Sequence, residues 1–141
     1  MDQVNYKFLV VDDHLVMRQM VSILLTRFGL TEIDTAKDGV EALSKIEAAA
    51  EASNPYDIVF LDWGLPNMNG FQLLTTLRKE PKYKNMAIIM MSSESSDSHI
   101  AKAIVAGATS YITKPFKPDD ILKNIDYLEP WRKSLEDKGA S

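Results

Sequence analysis

The sequence predicts an α/β fold in which five parallel strands form one sheet with helices on both faces. Three observations predict it. Short apolar runs alternate with longer segments of helical periodicity, the pattern left by strands joined through crossover helices. The strongest runs, KFLVV, DIVFLD and AIIMMS, are apolar almost throughout, as strands covered on both faces must be. No internal repeat or low-complexity linker divides the 141 residues, a length that suits one domain.

Lys7–Val11 reads as the first strand. From Leu15 to Phe28, residues Met17, Met20, Val21, Leu24 and Phe28 recur at helical spacing and predict one inward face. Gly29 then stops that helix. Glu32–Ala36 is a short second strand. Asp38–Ala52 is a helix with Val40, Leu43 and Ile46 inward, closed by Asn54-Pro55 because the residue before proline avoids helical geometry. Residues 57–62 form the third strand, WGLPNMNG a turn-rich loop, and residues 71–79 the next helix. AIIMMS (87–92) is the fourth strand, with Met86, Met90 and Met91 expected to serve packing. Ser96–Ala106 is a helix stopped by Gly107, and SYIT (110–113) the last strand. Asp119 opens a final helix whose Ile121, Leu122, Ile125 and Leu128 cover the sheet. Apolar spacing continues through Trp131 and Leu135, past a break at Pro130. Residues 1–129 therefore read as the domain and 130–141 as a C-terminal helical extension or tail, with a partner or dimer surface as the sharper reading.

Sixteen basic against twenty acidic residues leave a net charge of −4, which argues against nucleic acid as the main partner. Cysteine is absent, excluding disulfides and thiolate metal sites. Neither a signal peptide nor a bilayer-spanning run is present, so a cytoplasmic protein is expected.

Ligands of open parallel sheets bind beyond the carboxyl ends of the strands. Those ends carry Asp12-Asp13, Asp62, Ser92-Ser93 and Lys114-Pro115. Three carboxylates, a hydroxyl and a lysine should meet at one edge, where a hard cation such as Mg²⁺ would offset the repulsion. Because that edge opens into a cleft, neither Asp12 nor Asp13 need be fully desolvated. A carboxylate beside Mg²⁺ and Lys114 can attack phosphorus and form an acyl phosphate. Ser92 could then donate a hydrogen bond to the new phosphoryl oxygen.

Four segments, VVDD (10–13), VFLDWGLPNMNG (59–70), MMSSE (90–94) and SYITKPF (110–116), follow one another in an order that resembles the receiver domain of two-component response regulators, most closely the stand-alone chemotaxis type. The resemblance implies a flavodoxin-like, doubly wound sheet in the order 2-1-3-4-5. It implies Asp62 as the phosphorylated nucleophile, Asp13 and the Gly64 carbonyl as Mg²⁺ ligands beside Asp62, and Asp12 acting through a water. Lys114, in a cis bond to Pro115, would pair with the phosphoryl group, and Ser92 with Tyr111 would form the switch. A histidine kinase or phosphotransfer protein would donate, and a downstream protein would bind helix 4, strand 5 and helix 5. No DNA-binding output domain, no membrane insertion, and a monomer or weak dimer complete the expectation. One departure is Gly64, where chemotaxis receivers carry a polar side chain; a glycine cannot orient an attacking water. Glu94 keeps the chemotaxis-like identity at the second position that tunes hydrolysis.

Plainer readings exist for each residue. The Asp12-Asp13 pair could cap a helix, Asp62 could begin a turn, and Lys114-Pro115 could simply end a strand. His14 and His99 lack companions at metal spacing and read as surface or edge residues. An aspartate-nucleophile hydrolase would carry a second aspartate where Gly64 stands. A receiver fold kept only for binding would not need the full set of Asp12, Asp13, Asp62 and Lys114. A dinucleotide site would need a glycine fingerprint after the first strand, which DDHLVM lacks.

Overall fold

Among the described residues, each predicted strand and helix forms within one residue of its expected ends, the last helix at its start. The computed structural model describes residues 6–126, so the expectations for Leu128, Trp131, Leu135 and the 130–141 extension lie outside the described residues. In chain order the elements are β1 (Lys7–Val11), α1 (Leu15–Arg27), β2 (Glu32–Ala36), α2 (Gly39–Glu51), β3 (Ile58–Asp62), α3 (Gly70–Arg78), a 3₁₀ turn at Pro81–Tyr83, β4 (Ala87–Ser92), α4 (Asp97–Val105) and β5 (Ser110–Thr113). A last helix, α5, is described over 118–126. It begins one residue before the expected Asp119, because Pro118 suits the first helical position.

All strands are parallel and stand in the order β2-β1-β3-β4-β5. Successive side chains on a strand point to opposite faces, so each central strand feeds two cores. Leu9, Val11, Val59, Leu61, Ile88 and Met90 meet α2 and α3. Phe8, Val10, Ile58, Phe60, Ile89 and Met91 meet α1 and α5. Met86, Met90 and Met91 are buried, as their packing role required.

Two helices keep part of the predicted inward face, Val21 and Leu24 in α1 and Leu43 and Ile46 in α2, and shift the rest of it. In α1 the buried residues are Val21, Leu24 and Leu25, whereas Met20 and Phe28 are exposed. Phe28 is the C-cap, past the last turn, and Leu25 brings the buried stripe round to a different side. In α2, Val40 is exposed and the stripe is Ala42, Ile46 and Ala49. Their four- and three-residue spacing lies nearer the turn of about 3.6 residues than the predicted three and three, and small alanines let the helix approach the sheet closely. In α5, Ile121 and Ile125 are buried as expected.

The loop after β3 is pinned by close backbone approach. A Cβ on Gly70 would lie 2.1 Å from the Asp62 carbonyl oxygen, and the Gly70 amide donates to the Trp63 carbonyl at 2.8 Å. Asn69 then starts α3 with a capping box completed by Gln72. From the same loop, Asn67 donates to Asp38, the N-cap of α2, at 3.1 Å.

Candidate functional site: an acidic cleft and a seam of rings

Register brings the charged groups together. Val11 pairs with Leu61 across β1 and β3, so the next residue on each strand, Asp12 and Asp62, emerges beside the other. Ser92 pairs with Thr113 across β4 and β5, which puts Lys114 one step beyond. The Lys114 amide donates to the Ser92 carbonyl at 2.7 Å, and the Lys114-Pro115 bond is cis as the resemblance implied.

Lys114 Nζ donates to Asp12 Oδ2 at 2.8 Å and to Asp62 Oδ1 at 3.1 Å. Asp12 is wholly buried, and Asp62 and Ser92 are nearly so. The expectation that neither strand-end aspartate is fully desolvated therefore fails for Asp12. Its burial is compensated by the ammonium, by the His14 amide on Oδ1 at 2.9 Å and, on its carbonyl, by Arg18 Nη1 at 2.7 Å. Asp13 alone of the pair is exposed. Neither caps α1, whose N-cap is His14.

Burial pushes the Asp62 pKa up, the charge of Asp12 adds to the rise, and Lys114 opposes it. Burial also works to lower the Lys114 pKa. The hydrogen bond to Asp12 and the charges of Asp62 and Asp12 outweigh it, so the net shift is upward. Two buried carboxylates thus share one ammonium, with the charge of Asp13 adding to the rise at Asp62.

Ligand atoms of Asp12, Asp13 and His14 lie within 4.8 Å of one another. His14 therefore has companions that its spacing concealed, with Nδ1 at 3.2 Å from both carboxylates. Asp62 stands outside that group, turned to Lys114. The surplus of carboxylate oxygens fits a hard divalent cation. Nothing lies within 4 Å of a Cβ built on Gly64, so the cleft is open on that side.

Beside the cleft, Ser92 Oγ accepts the Glu94 amide at 3.1 Å, and the Tyr111 hydroxyl donates to the Glu94 carbonyl at 2.7 Å. Burial raises the Tyr111 pKa; the Ser92 hydroxyl opposes this and the Glu94 charge adds to it. A row of rings continues from there. Tyr111 meets His99 edge to face at 6.4 Å, His99 lies on Trp63 at 3.8 Å, and Trp63 stacks on Phe71 at 5.0 Å. Sequence reasoning missed Trp63 and Phe71 and placed His99 at the surface or edge, yet His99 is half-buried. The available signal was the position of Trp63, next to the candidate nucleophile.

The family model for the response regulator receiver domain matches residues 8–126. The chain is 34% identical to the chemotaxis protein CheY1 of Helicobacter pylori over 122 residues, covering 86% of this chain and 95% of that one. It is 35% identical to the CheY homolog of Campylobacter jejuni over 120 residues, covering 85% and 89%. Among solved structures it resembles the chemotaxis response regulator CheY4 of Vibrio cholerae, with 34% identity, TM-score 0.79, and 89% and 99% of the two chains covered.

Proposed function

The chain belongs to the response regulator receiver family, and we propose that it acts as a phosphorylation-dependent switch with Asp62 as the acceptor. The observation that carries this reading is the single ammonium of Lys114 bridging two buried carboxylates at adjacent strand ends. Such a group is not needed for packing. It holds Asp62 in place and opposes the burial that favours its protonation.

An Asp62 oxygen would attack the phosphorus of a phosphohistidine on a histidine kinase or phosphotransfer protein. The new O–P bond forms as the P–N bond breaks, and the donor imidazole leaves. Mg²⁺ bound through Asp13, Asp62 and the Gly64 carbonyl, with Asp12 reached through a water, would neutralise charge on the transferring oxygens. Lys114 turns from Asp62 to a phosphoryl oxygen, and Ser92 donates its hydroxyl to another. Withdrawal of Ser92 toward the phosphate then changes the surroundings of Tyr111 on the face made by α4, β5 and α5, where a downstream protein binds. The reading includes no DNA-binding output. Among the described residues no helix is long and apolar enough to cross a membrane. Gly64 offers no side chain to place a water, which leaves Glu94 as the side chain tuning hydrolysis.

The test is intact mass after incubation with Mg²⁺ and a small phosphodonor. The natural chain should gain one phosphoryl group and Asp62→Asn none. An unmodified natural chain would overturn the switch in favour of a fold used only for binding.

A further inference from the structure

We propose that His99 is a positioning residue for the switch, its ring coupling the loop after Asp62 to Tyr111. The inference rests on Asp62 being the acceptor, and adds a route separate from the Ser92 hydroxyl. Trp63 follows Asp62 directly, and its amide is fixed to the Met91 carbonyl at 2.9 Å. Its indole stacks on Phe71 at 20° and meets the His99 ring at a tilt of 32°. Movement of the Asp62 loop therefore cannot leave His99 undisturbed.

His99 is itself held at a defined place. It stands in the first turn of α4, where its amide donates to the N-cap Ser96 Oγ at 3.3 Å. Its other ring contact is Tyr111, met at 84°, a favoured edge-to-face arrangement. The Tyr111 hydroxyl donates to the Glu94 carbonyl in an exposed bond, so the tyrosine is latched at its tip by the β4–α4 loop and met along its ring by α4. His99 is the one ring that touches both Trp63 and Tyr111 among the described contacts.

One further observation separates a coupling role from filler. His99 Nε2 is buried with no hydrogen-bond partner among the described residues. A buried nitrogen left unpaired is unfavourable, and a leucine would fill the space without it. A leucine would not supply a flat face for the indole and an aromatic contact for the tyrosine. The ring, not the nitrogen, is what the position uses.

Amide spectra of the ¹⁵N-labelled full chain, recorded with Mg²⁺ before and after beryllofluoride, test this. In the natural chain the amides of Asp62, Trp63, Glu94 and Tyr111 should all shift. In His99→Ala the shifts of Asp62, Trp63 and Glu94 should persist, Glu94 through its bond to Ser92 Oγ, while that of Tyr111 falls about threefold or more. His99→Phe, which restores a flat ring without the nitrogen, should recover it; the spectra also report whether each variant is folded. A full Tyr111 shift in His99→Ala, or no recovery in folded His99→Phe, would overturn the coupling alone. No response at Asp62 in the natural chain would remove the acceptor reading, and the inference with it.

Discussion

The acidic cleft and the seam of rings lie at neighbouring strand ends, yet opposite forces hold them. In the cleft, Asp12, Asp62 and Lys114 are buried charges whose positions depend on one another. In the seam, Tyr111, His99, Trp63 and Phe71 are all half-buried and meet through ring faces and edges. A set of buried charges responds strongly to any added charge, because little water is present to screen it. Rings seated face on face and edge on face respond weakly to charge, and a shift of one is passed to its neighbour. On the proposed function, the first region would receive a phosphoryl group and the second would report it.

The largest expected effect tests whether the cleft is held by charge. Lys114→Met keeps most of the apolar stem and removes the ammonium, leaving wholly buried Asp12 without its cation. Breaking a buried pair in this way costs about 3 kcal/mol or more. Urea unfolding at pH 7 should show that loss. A loss well below 1 kcal/mol would mean that solvent already screens the cleft, and the contrast with the seam would disappear.

A smaller effect, opposite in sign, is expected at Asp62, the proposed acceptor. The folded-state pKa of Asp62 is raised from its ordinary value of 3.8. A raised pKa contributes stability that is fully present below the unfolded value and is lost as pH rises through the folded value. At pH 7 the natural chain has lost that contribution, whereas Asp62→Asn carries no charge to lose and leaves Lys114 paired with Asp12. The variant should therefore be more stable at pH 7. Its advantage should shrink as pH falls toward 3.8. Mg²⁺ should narrow the gap at pH 7, since a cation relieves the same repulsion in the natural chain. Thermal unfolding across pH with and without Mg²⁺ measures both, and a less stable variant at pH 7 would show that Lys114 outweighs the burial and the Asp12 charge.

The two regions are also unequally legible in the sequence. Strand-end carboxylates are visible because apolar runs stop abruptly at them, so Asp12, Asp13, Asp62 and Lys114 stand out from the order of residues alone. What that order does not carry is their unequal depth: Asp12 and Asp13 are adjacent, but the first points into the sheet edge and the second to solvent. The seam leaves no comparable mark. Phe71 and His99 lie in different helices, and their meeting on Trp63 depends on the close turn at Gly70 and on the Ser96 cap. The inward faces of α1 and α2 differ from the predicted ones for a related reason. Spacing identifies several overlapping stripes on a helix, and only packing against the sheet chooses among them.

The smallest effect bears on the reporting side of the contrast. Tyr111→Phe removes one hydrogen bond, from the phenol to the Glu94 carbonyl at 2.7 Å, and keeps the ring against His99. That bond is solvent-exposed, so water can replace the lost partner at the carbonyl. The expected cost is about 0.5 kcal/mol, with phosphoryl uptake by Asp62 unchanged in the mass assay. A cost near 2 kcal/mol would mean that the hydroxyl is held as firmly as the charges of the cleft. A switch cannot use a contact that strong as its moving part, because the phosphoryl group would have to overcome it before the surface could change. A small value is therefore what the division of labour requires: firm where charge arrives, and loosely latched where the change is read.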